Sequence, residues 1–151
     1  MANTFRDARR SVASVLGADI SYFTPPEERR FEPATVALAL AALLICDFLR
    51  AAAKKAGESV GSKAVDALVG DVSRSVQKAG AGDRASDAEA DARKAWVEMR
   101  TQGLGLAELT AVGDEVQAAM VEALKKQNLP TEKASRLAQA IRTAAFSLPE
   151  T

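Results

Sequence analysis

The sequence predicts an all-α protein: a single helical bundle of about five main helices around a central apolar helix. Alanine is abundant, whereas aromatic residues make up only 5% of the chain, and this composition favours helices over strands. Apolar residues also recur at helical spacing along most of the sequence. The segment Ala34–Cys46 carries no charge, so we expect it to form a helix that other helices enclose on all sides.

The length of 151 residues fits one domain, large enough to bury a substantial core. We expect the bundle to cover about residues 4–148. A first amphipathic helix is predicted from Thr4 to Leu16. Its opposite face carries Arg6, Arg9 and Arg10. A solvated face is the favoured interpretation of these arginines, and contact with acidic lipid headgroups is the alternative.

A short corner is predicted between the first helix and the central one. Ile20, Tyr22 and Phe23 are expected to form a connector that tucks against the bundle. The stretch Thr24–Glu27 resembles a capping box with prolines in the first turn. Because Pro33 disfavours helical geometry at the residue before it, we expect only one or two turns here.

The central helix is predicted to begin around Pro33 and to run at least to Lys55. Its roughly 13 uncharged residues would cover about 20 Å, whereas a bilayer core needs about 30 Å. Extending the run to that length includes Asp47 and Arg50, so a core helix is favoured over a constitutive membrane span. The large apolar side chains of this helix are Val36, Leu38, Leu40, Leu43, Leu44, Ile45 and Leu49.

Small residues follow the apolar segment at intervals of four: Ala53, Gly57 and Gly61. The central helix either ends at Gly57 or continues through Gly61, and the pattern does not separate a break from a continuous rod. The stripe favours close packing within the bundle, and contact between copies in lipid is the alternative.

Four further helices are predicted after this region. The first has an apolar face of Ala64, Leu68, Val72 and Val76 and ends at Ala79–Gly82. The next begins at Asp83 or Ser86, with a thin inner face of Ala85, Ala88, Ala92, Trp96 and Met99. A strong apolar stripe then runs from Leu106 to about Lys126, Asn128–Thr131 interrupts it, and a final helix ends near Pro149. Because the connections between the helices are short, we expect neighbouring helices to be antiparallel.

No catalytic pattern is present in the sequence. The chain has no histidine and one cysteine, Cys46, within the apolar segment, so the usual activated nucleophile and the commonest metal ligand are missing. We therefore predict a protein that is not an enzyme and uses no cofactor. The net charge of zero disfavours nucleic-acid binding. The lone cysteine and the absence of an apolar leader favour a cytoplasmic location.

The order of segments in Thr4–Leu148 resembles one family. An amphipathic helix, a strongly apolar helix, a small-residue segment and a closing bundle look like the bacterial Bell domains, which are related to the fungal HeLo and HeLo-like domains and to the four-helix domain of animal MLKL. The resemblance implies a membrane-targeting, cell-death-inducing, pore-forming effector of bacterial immunity. It further implies self-association on activation and relocation to the inner face of the plasma membrane. The bundle would then open, and the large apolar side chains of the central helix listed above would be the candidates for membrane insertion.

A second class of function stays open. The same pattern fits a helical adaptor that binds a regulatory protein partner through a groove and has no membrane role. Liposome leakage separates the two classes, provided that the variants tested remain folded, since a charge placed in the core could itself unfold the bundle.

Overall fold

A computed structural model describes residues 5–23, 33–57, 63–81, 106–146 and the single positions 90, 94 and 97. These residues are almost entirely helical and include no strand, so the predicted all-α bundle is confirmed. The elements in chain order are α1 (Phe5–Leu16), a 3₁₀ turn (Gly17–Asp19), α2 (Ile20–Phe23), α3 (Pro33–Gly57), α4 (Lys63–Ala81), α5 (Leu106–Lys125) and α6 (Thr131–Phe146).

Helix α3 is the centre of the bundle. It packs against each of the other four long helices that the structure describes, namely α1, α4, α5 and α6. These neighbours also pack on one another in the order α4, α5, α6, α1, and so form an arc around α3. Such an environment suits a helix that has almost no polar face.

The burial of α3 follows its composition. The side chains of Val36, Leu40, Leu44, Ile45 and Leu49 are at most 1% exposed, which confirms the expected enclosure for most of the helix. The enclosure is less complete than predicted at two positions, because Leu38 and Leu43 are only half-buried. For Leu43 the cause is visible, since this side chain lines a cavity between α3 and α4.

The chain reverses direction between α3 and α4. The Ser75 hydroxyl donates a hydrogen bond of 2.5 Å to Asp47, 28 residues earlier in the sequence. In one continuous helix those residues would lie about 42 Å apart. The alternative of a rod through Gly61 is therefore wrong. Gly57 ends α3, while Gly61 and the side chain of Ala53 lie outside the described residues, so the close-packing stripe stays a prediction.

Helix α1 agrees with its prediction to within one residue, and Ala8, Val12 and Leu16 bury its apolar face. The connector after it is helical rather than irregular, and Phe23 packs into the core as expected. Tyr22 does not tuck in. Its ring is 40% exposed and lies under the Lys133 ammonium group, 5.8 Å from the ring centroid.

An ion pair links the 3₁₀ turn after α1 to helix α6. Lys133 Nζ donates to Asp19 Oδ1 at 2.7 Å, and the Asp19 side chain is 10% exposed. That hydrogen bond and the negative charge of Asp19 raise the pKa of Lys133. The contact joins the 3₁₀ turn that follows α1 to the first turn of α6, across 114 positions of sequence.

The turn from α5 to α6 explains the break predicted at Asn128–Thr131. Asn128 adopts a left-handed backbone with φ of 74°, its N–H donates to the Lys125 carbonyl at 3.0 Å, and the Leu129 N–H donates to the Leu124 carbonyl at 3.4 Å. This pair of bonds is the Schellman ending, in which asparagine can replace glycine. Leu129 is buried beneath the turn and so anchors it.

The predicted apolar faces of the later helices are confirmed where they are described. Leu68, Val72 and Val76 of α4, Val116, Met120 and Leu124 of α5, and Leu137 and Ile141 of α6 are all buried. The corner at Thr24–Glu27 and the inner face predicted for the helix after Ser86 lie outside the described residues. Within the latter segment Ala90, Lys94 and Val97 are helical and exposed.

Candidate functional site

A polar cavity of about 160 Å³ lies between α3 and α4. Three positions of α3, Leu43, Asp47 and Arg50, follow one another at intervals of four and three residues and therefore share one helix face. The same spacing brings Asp71, Ser75 and Lys78 of α4 to a single face. Packing of the two helices then places the two faces opposite each other. The complete lining is Leu43, Cys46, Asp47, Arg50, Asp71, Arg74, Ser75 and Lys78.

Asp47 forms the floor of this cavity. Its side chain is only 4% exposed and accepts the hydrogen bond from Ser75. A carboxylate removed from water is costly unless charges or hydrogen bonds compensate it. Here compensation is incomplete, and burial raises the pKa of Asp47 from 3.8 to about 7. At neutral pH the group is thus divided between its charged and neutral forms.

The neighbours of Asp47 act on its pKa in opposite directions. The hydrogen bond from Ser75 lowers it, the carboxylate of Asp71 raises it, and the positive charges of Arg50 and Lys78 lower it. Burial outweighs all of these effects. The proton on Asp47 therefore responds to any change in solvent access or in charge at the cavity.

The rim of the cavity is cationic. Arg50, Arg74 and Lys78 are exposed, and Arg74 donates a hydrogen bond of 2.6 Å to Asp71. Arg50 and Lys78 add two further positively charged groups to the rim. Surface ion pairs such as Arg74–Asp71 add little stability.

Chemically, the cavity offers a carboxyl group that gains or loses a proton near pH 7, together with positive charge. Cys46 also lines it, but its thiol is 2% exposed, and a thiol in apolar surroundings is poorly reactive. The described residues include no cluster of side chains able to hold a metal ion. The prediction that the protein is not an enzyme stays a prediction.

The predicted lipid-headgroup arginines do not form one described cluster. Arg10 is exposed, whereas Arg9 is half-buried. The Nε atom of Arg9 is enclosed and finds no acceptor within the described part of the chain. The side chain of Arg6 lies outside the described residues. Nearby, α1 and α6 flank a groove of about 330 Å³ lined by Asp7, Ala8, Ser11, Val15, Ala140, Thr143 and Ala144.

The membrane-insertion candidates lie in the core rather than at a surface site. Val36, Leu40, Leu44, Ile45 and Leu49 pack inside the arc of helices, and Leu43 alone among the candidates lines the described cavity. Among the residues that the structure describes, no helix combines the length and the apolar character needed to cross a membrane.

Sequence reasoning missed the Asp47–Ser75 pair. A signal for it exists: Asp47 interrupts the apolar run of α3, and Ser75 follows the core residue Val72 and precedes Val76. Two polar residues on otherwise apolar faces indicate a contact in the core, because buried polar groups are nearly always paired. The spacing within one helix does not show which partner each residue finds.

Comparison with protein-family models, curated proteins and solved structures finds no match to this chain. The class of protein rests on the geometry described above.

Proposed function

We propose that this protein is a membrane-acting effector without enzymatic activity. In its closed state the bundle shields α3, and on activation α3 is released into a lipid bilayer. One observation carries the proposal: the most apolar helix of the chain is the central one, and it packs against all four other long helices described. Opening the arc on any side exposes apolar surface that water solvates poorly.

The energetics support a change of environment for α3. Burial of a large apolar side chain contributes roughly 1.5–3 kcal/mol, and α3 buries Leu40, Leu44, Ile45, Phe48 and Leu49 completely. A bilayer core is as apolar as a protein core. Contact with lipid can therefore compensate for most of the free energy that α3 loses when the neighbouring helices separate from it. Contact with water cannot compensate in this way, so the bundle stays closed where no membrane is present.

The described polar contacts between α3 and its neighbours include an ion pair and a buried hydrogen bond. Lys55 of α3 pairs with Glu115 of α5 at 2.9 Å, and the Glu115 side chain is 61% exposed, a geometry that contributes little in water. The Asp47 carboxylate accepts a buried hydrogen bond from the Ser75 hydroxyl, which joins α3 to α4. Apolar packing thus supplies most of the closure, and that is the interaction for which lipid can substitute.

Self-association is part of the proposal. Asp47 and Arg50 lie within the stretch that would enter the bilayer, and charged residues inside a membrane usually face a polar interior. Several copies that enter together can place these side chains towards a shared centre, away from lipid. Such an assembly would permeabilise the membrane, in accord with the cell-death function that the resemblance to Bell domains implies.

A matched pair of variants tests this function. Leu137→Ala in α6 and Leu44→Ala in α3 remove the same atoms from the same core, since Leu137 is 1% exposed and Leu44 is not exposed. Each should destabilise the closed bundle by about 2–5 kcal/mol. Leu137→Ala weakens only the packing of α6 in the bundle around α3, so we expect faster dye release from liposomes than with the unaltered protein. Leu44→Ala also weakens the inserting helix, so its release should be slower than that of Leu137→Ala.

Urea titration of both variants is the control, because leakage is compared only at equal bundle stability. Protein clustered through a fused dimerising domain provides the activated state. Equal leakage from the two variants would show that unfolding alone permeabilises the vesicles and would contradict the proposal. No leakage from any clustered form would favour the partner-binding adaptor, for which the groove between α1 and α6 is the available surface.

A further inference from the structure

We propose that the contact between α3 and α4 at Asp47 opens when this carboxyl group loses its proton. With the proton, the two helices pack closely. Without it, α4 moves away from α3 at this level and water enters the cavity between them. The inference goes beyond the proposed function, because it concerns the protein in water and requires no membrane.

The position of Asp47 is the first argument. Its side chain lies on the face of α3 that packs against α4 and is 4% exposed. The Ser75 hydroxyl donates a hydrogen bond of 2.5 Å to it from the other side of the contact. A charge between packed helices is costly unless hydrogen bonds, opposite charges or water replace its lost hydration. Close packing of α3 and α4 is therefore more favourable when Asp47 is neutral.

The groups around Asp47 are the second argument. No described residue of α1, α5 or α6 lines the cavity, so the titratable and charged groups that face Asp47 are Cys46 and Arg50 of its own helix and Asp71, Arg74 and Lys78 of α4. Burial raises the pKa of Asp47 to about 7, and it outweighs the hydrogen bond and the positive charges that lower the pKa. Asp47 therefore gains or loses its proton near neutral pH.

The cavity provides room for hydration of the charged form. A water molecule needs about 10–15 Å³ of such volume, so a cavity of about 160 Å³ holds roughly ten water molecules. The rim is polar, and Lys78 and Arg74 are exposed there. An outward movement of α4 would extend this water to the carboxylate of Asp47 at the floor.

The place of α4 in the bundle allows it to move by itself. Among the described helices, α4 lies at one end of the arc α4, α5, α6, α1, so its displacement leaves the packing of α3 against α1, α5 and α6 in place. Parts of a structure with few packed neighbours open at a lower free energy than the whole. The movement separates the apolar contacts of Val72 and Val76, which are buried, and this keeps the open form a minor one.

Protonation and opening are linked. In the closed form the pKa of Asp47 is about 7, whereas a hydrated carboxyl has the ordinary value of 3.8, so the closed form binds the proton more tightly. The stabilisation of the closed form is complete in acid and is lost as the pH rises through 7. Between pH 6 and 8 the equilibrium constant for opening should rise about tenfold.

Cys46 serves as the reporter of opening, because its thiol lines the same cavity and is 2% exposed. The full chain is labelled with iodoacetamide between pH 6 and 8, at several urea concentrations below the unfolding transition. Dividing each rate by that of a free cysteine peptide at the same pH removes the titration of the thiol itself. We expect the corrected rate to rise about tenfold with pH and to change little with urea, because a local opening exposes little surface.

Three variants are the controls. Ile141→Cys in a Cys46→Ala background places the thiol at a buried position of α6, and its labelling should rise steeply with urea, because it requires global unfolding. Asp47→Asn carries no charge at any pH, so the corrected rate of its Cys46 should not depend on pH. Asp114→Asn makes the same chemical change at a side chain of α5 that is 79% exposed, and it should retain the tenfold rise.

Three results would overturn the proposal. The first is a corrected Cys46 rate that does not change with pH, and the second is a rise that persists in Asp47→Asn. The third is labelling of Cys46 that depends on urea as strongly as labelling at position 141 does, since the thiol would then be exposed by global unfolding alone. The first and third results need no substitution at Asp47. Because no lipid is present, each of these failures would leave the proposed function standing, and absence of liposome leakage would leave this opening intact.

Discussion

The rings of Phe48 and Phe146 meet edge to face, with centroids 5.6 Å apart and planes inclined at 72°. Phe48 belongs to α3 and is completely buried, while Phe146 is the last residue of α6. The contact joins the final turn of α6 to the central helix α3. An edge-to-face arrangement of two rings stabilises a protein by more than the burial of their apolar area alone.

A double-mutant cycle measures that contact. Phe48→Leu and Phe146→Leu each remove an aromatic ring while keeping apolar volume, so we expect their effects on the unfolding free energy to be coupled by about 0.5–1.5 kcal/mol. Urea denaturation of the two single variants and the double variant gives the coupling. Additive effects would show that the two rings contribute independently and that their edge-to-face geometry adds nothing.

The surroundings of two glycines inside helices, Gly70 and Gly113, predict opposite effects on stability when each is replaced by alanine. At Gly70 in α4 an added Cβ would meet no atom within 4 Å. Gly70→Ala should therefore stabilise the protein by about 1 kcal/mol, the difference in helix propensity. At Gly113 in α5 the same Cβ would lie 2.9 Å from Phe146 Cε2. Overpacking of this kind costs about 1–3 kcal/mol, so Gly113→Ala should be less stable than Gly70→Ala.

Thermal or urea denaturation compares the two alanine variants directly. The ring of Phe146 must move to admit the Gly113→Ala methyl group, and its contact with Phe48 should then weaken. Near-ultraviolet circular dichroism reports that loss, and Gly70→Ala should leave the spectrum unchanged. A stabilised Gly113→Ala with an unaltered aromatic spectrum would refute the close approach of α5 and α6.

The raised pKa of Asp47 predicts how stability depends on pH. In the folded protein this carboxyl has a pKa of about 7, against 3.8 ordinarily, so between those values the folded state binds the extra proton. The contribution of Asp47 to stability is thus largest in acid and is lost as the pH rises through 7. Between pH 5 and 8 the unfolding free energy should fall by about 2–3 kcal/mol on account of this group.

Comparison with Asp47→Asn isolates this contribution from other titrating groups. The unaltered protein should lose stability relative to the variant as the pH rises from 5 to 8, measured by urea denaturation in buffers of equal ionic strength. A constant difference across that range would mean that Asp47 keeps its ordinary pKa. In that event the carboxyl is far better solvated than its position between α3 and α4 indicates.

The elements that could be predicted from the sequence are those whose structure depends on the residues of a single segment. The apolar run beginning at Ala34 indicates a core helix by itself, and Asn128–Thr131 marks a helix ending because each residue has a local preference. The position of the break after α3 could not be predicted, since glycine at position 57 is compatible with either a helix end or a close helix contact. Only the packing of Ser75 against Asp47 decides between them.

The candidate site was inaccessible to sequence analysis for the same reason. Asp47 looks like the boundary of an apolar run, and Lys78 looks like a favourable charge near the end of a helix. Whether these two residues line the same cavity depends on how α3 and α4 are aligned along each other, and the periodicity of the sequence does not define that alignment. The pairing of Asp19 with Lys133, 114 positions away, likewise follows from tertiary packing alone.

The central claim is that α3 leaves the protein core for lipid, and a spin label on this helix tests it most directly. Leu38→Cys in a Cys46→Ala background places the label at a half-buried position of α3, on the helix face opposite Asp47, and a label at the exposed Ala107 of α5 is the reference. After clustering with anionic vesicles, we predict that oxygen dissolved in lipid relaxes the label at position 38 strongly while a water-soluble nickel complex does not. Unchanged accessibility at position 38 during full dye release, or strong relaxation by nickel, would contradict the account.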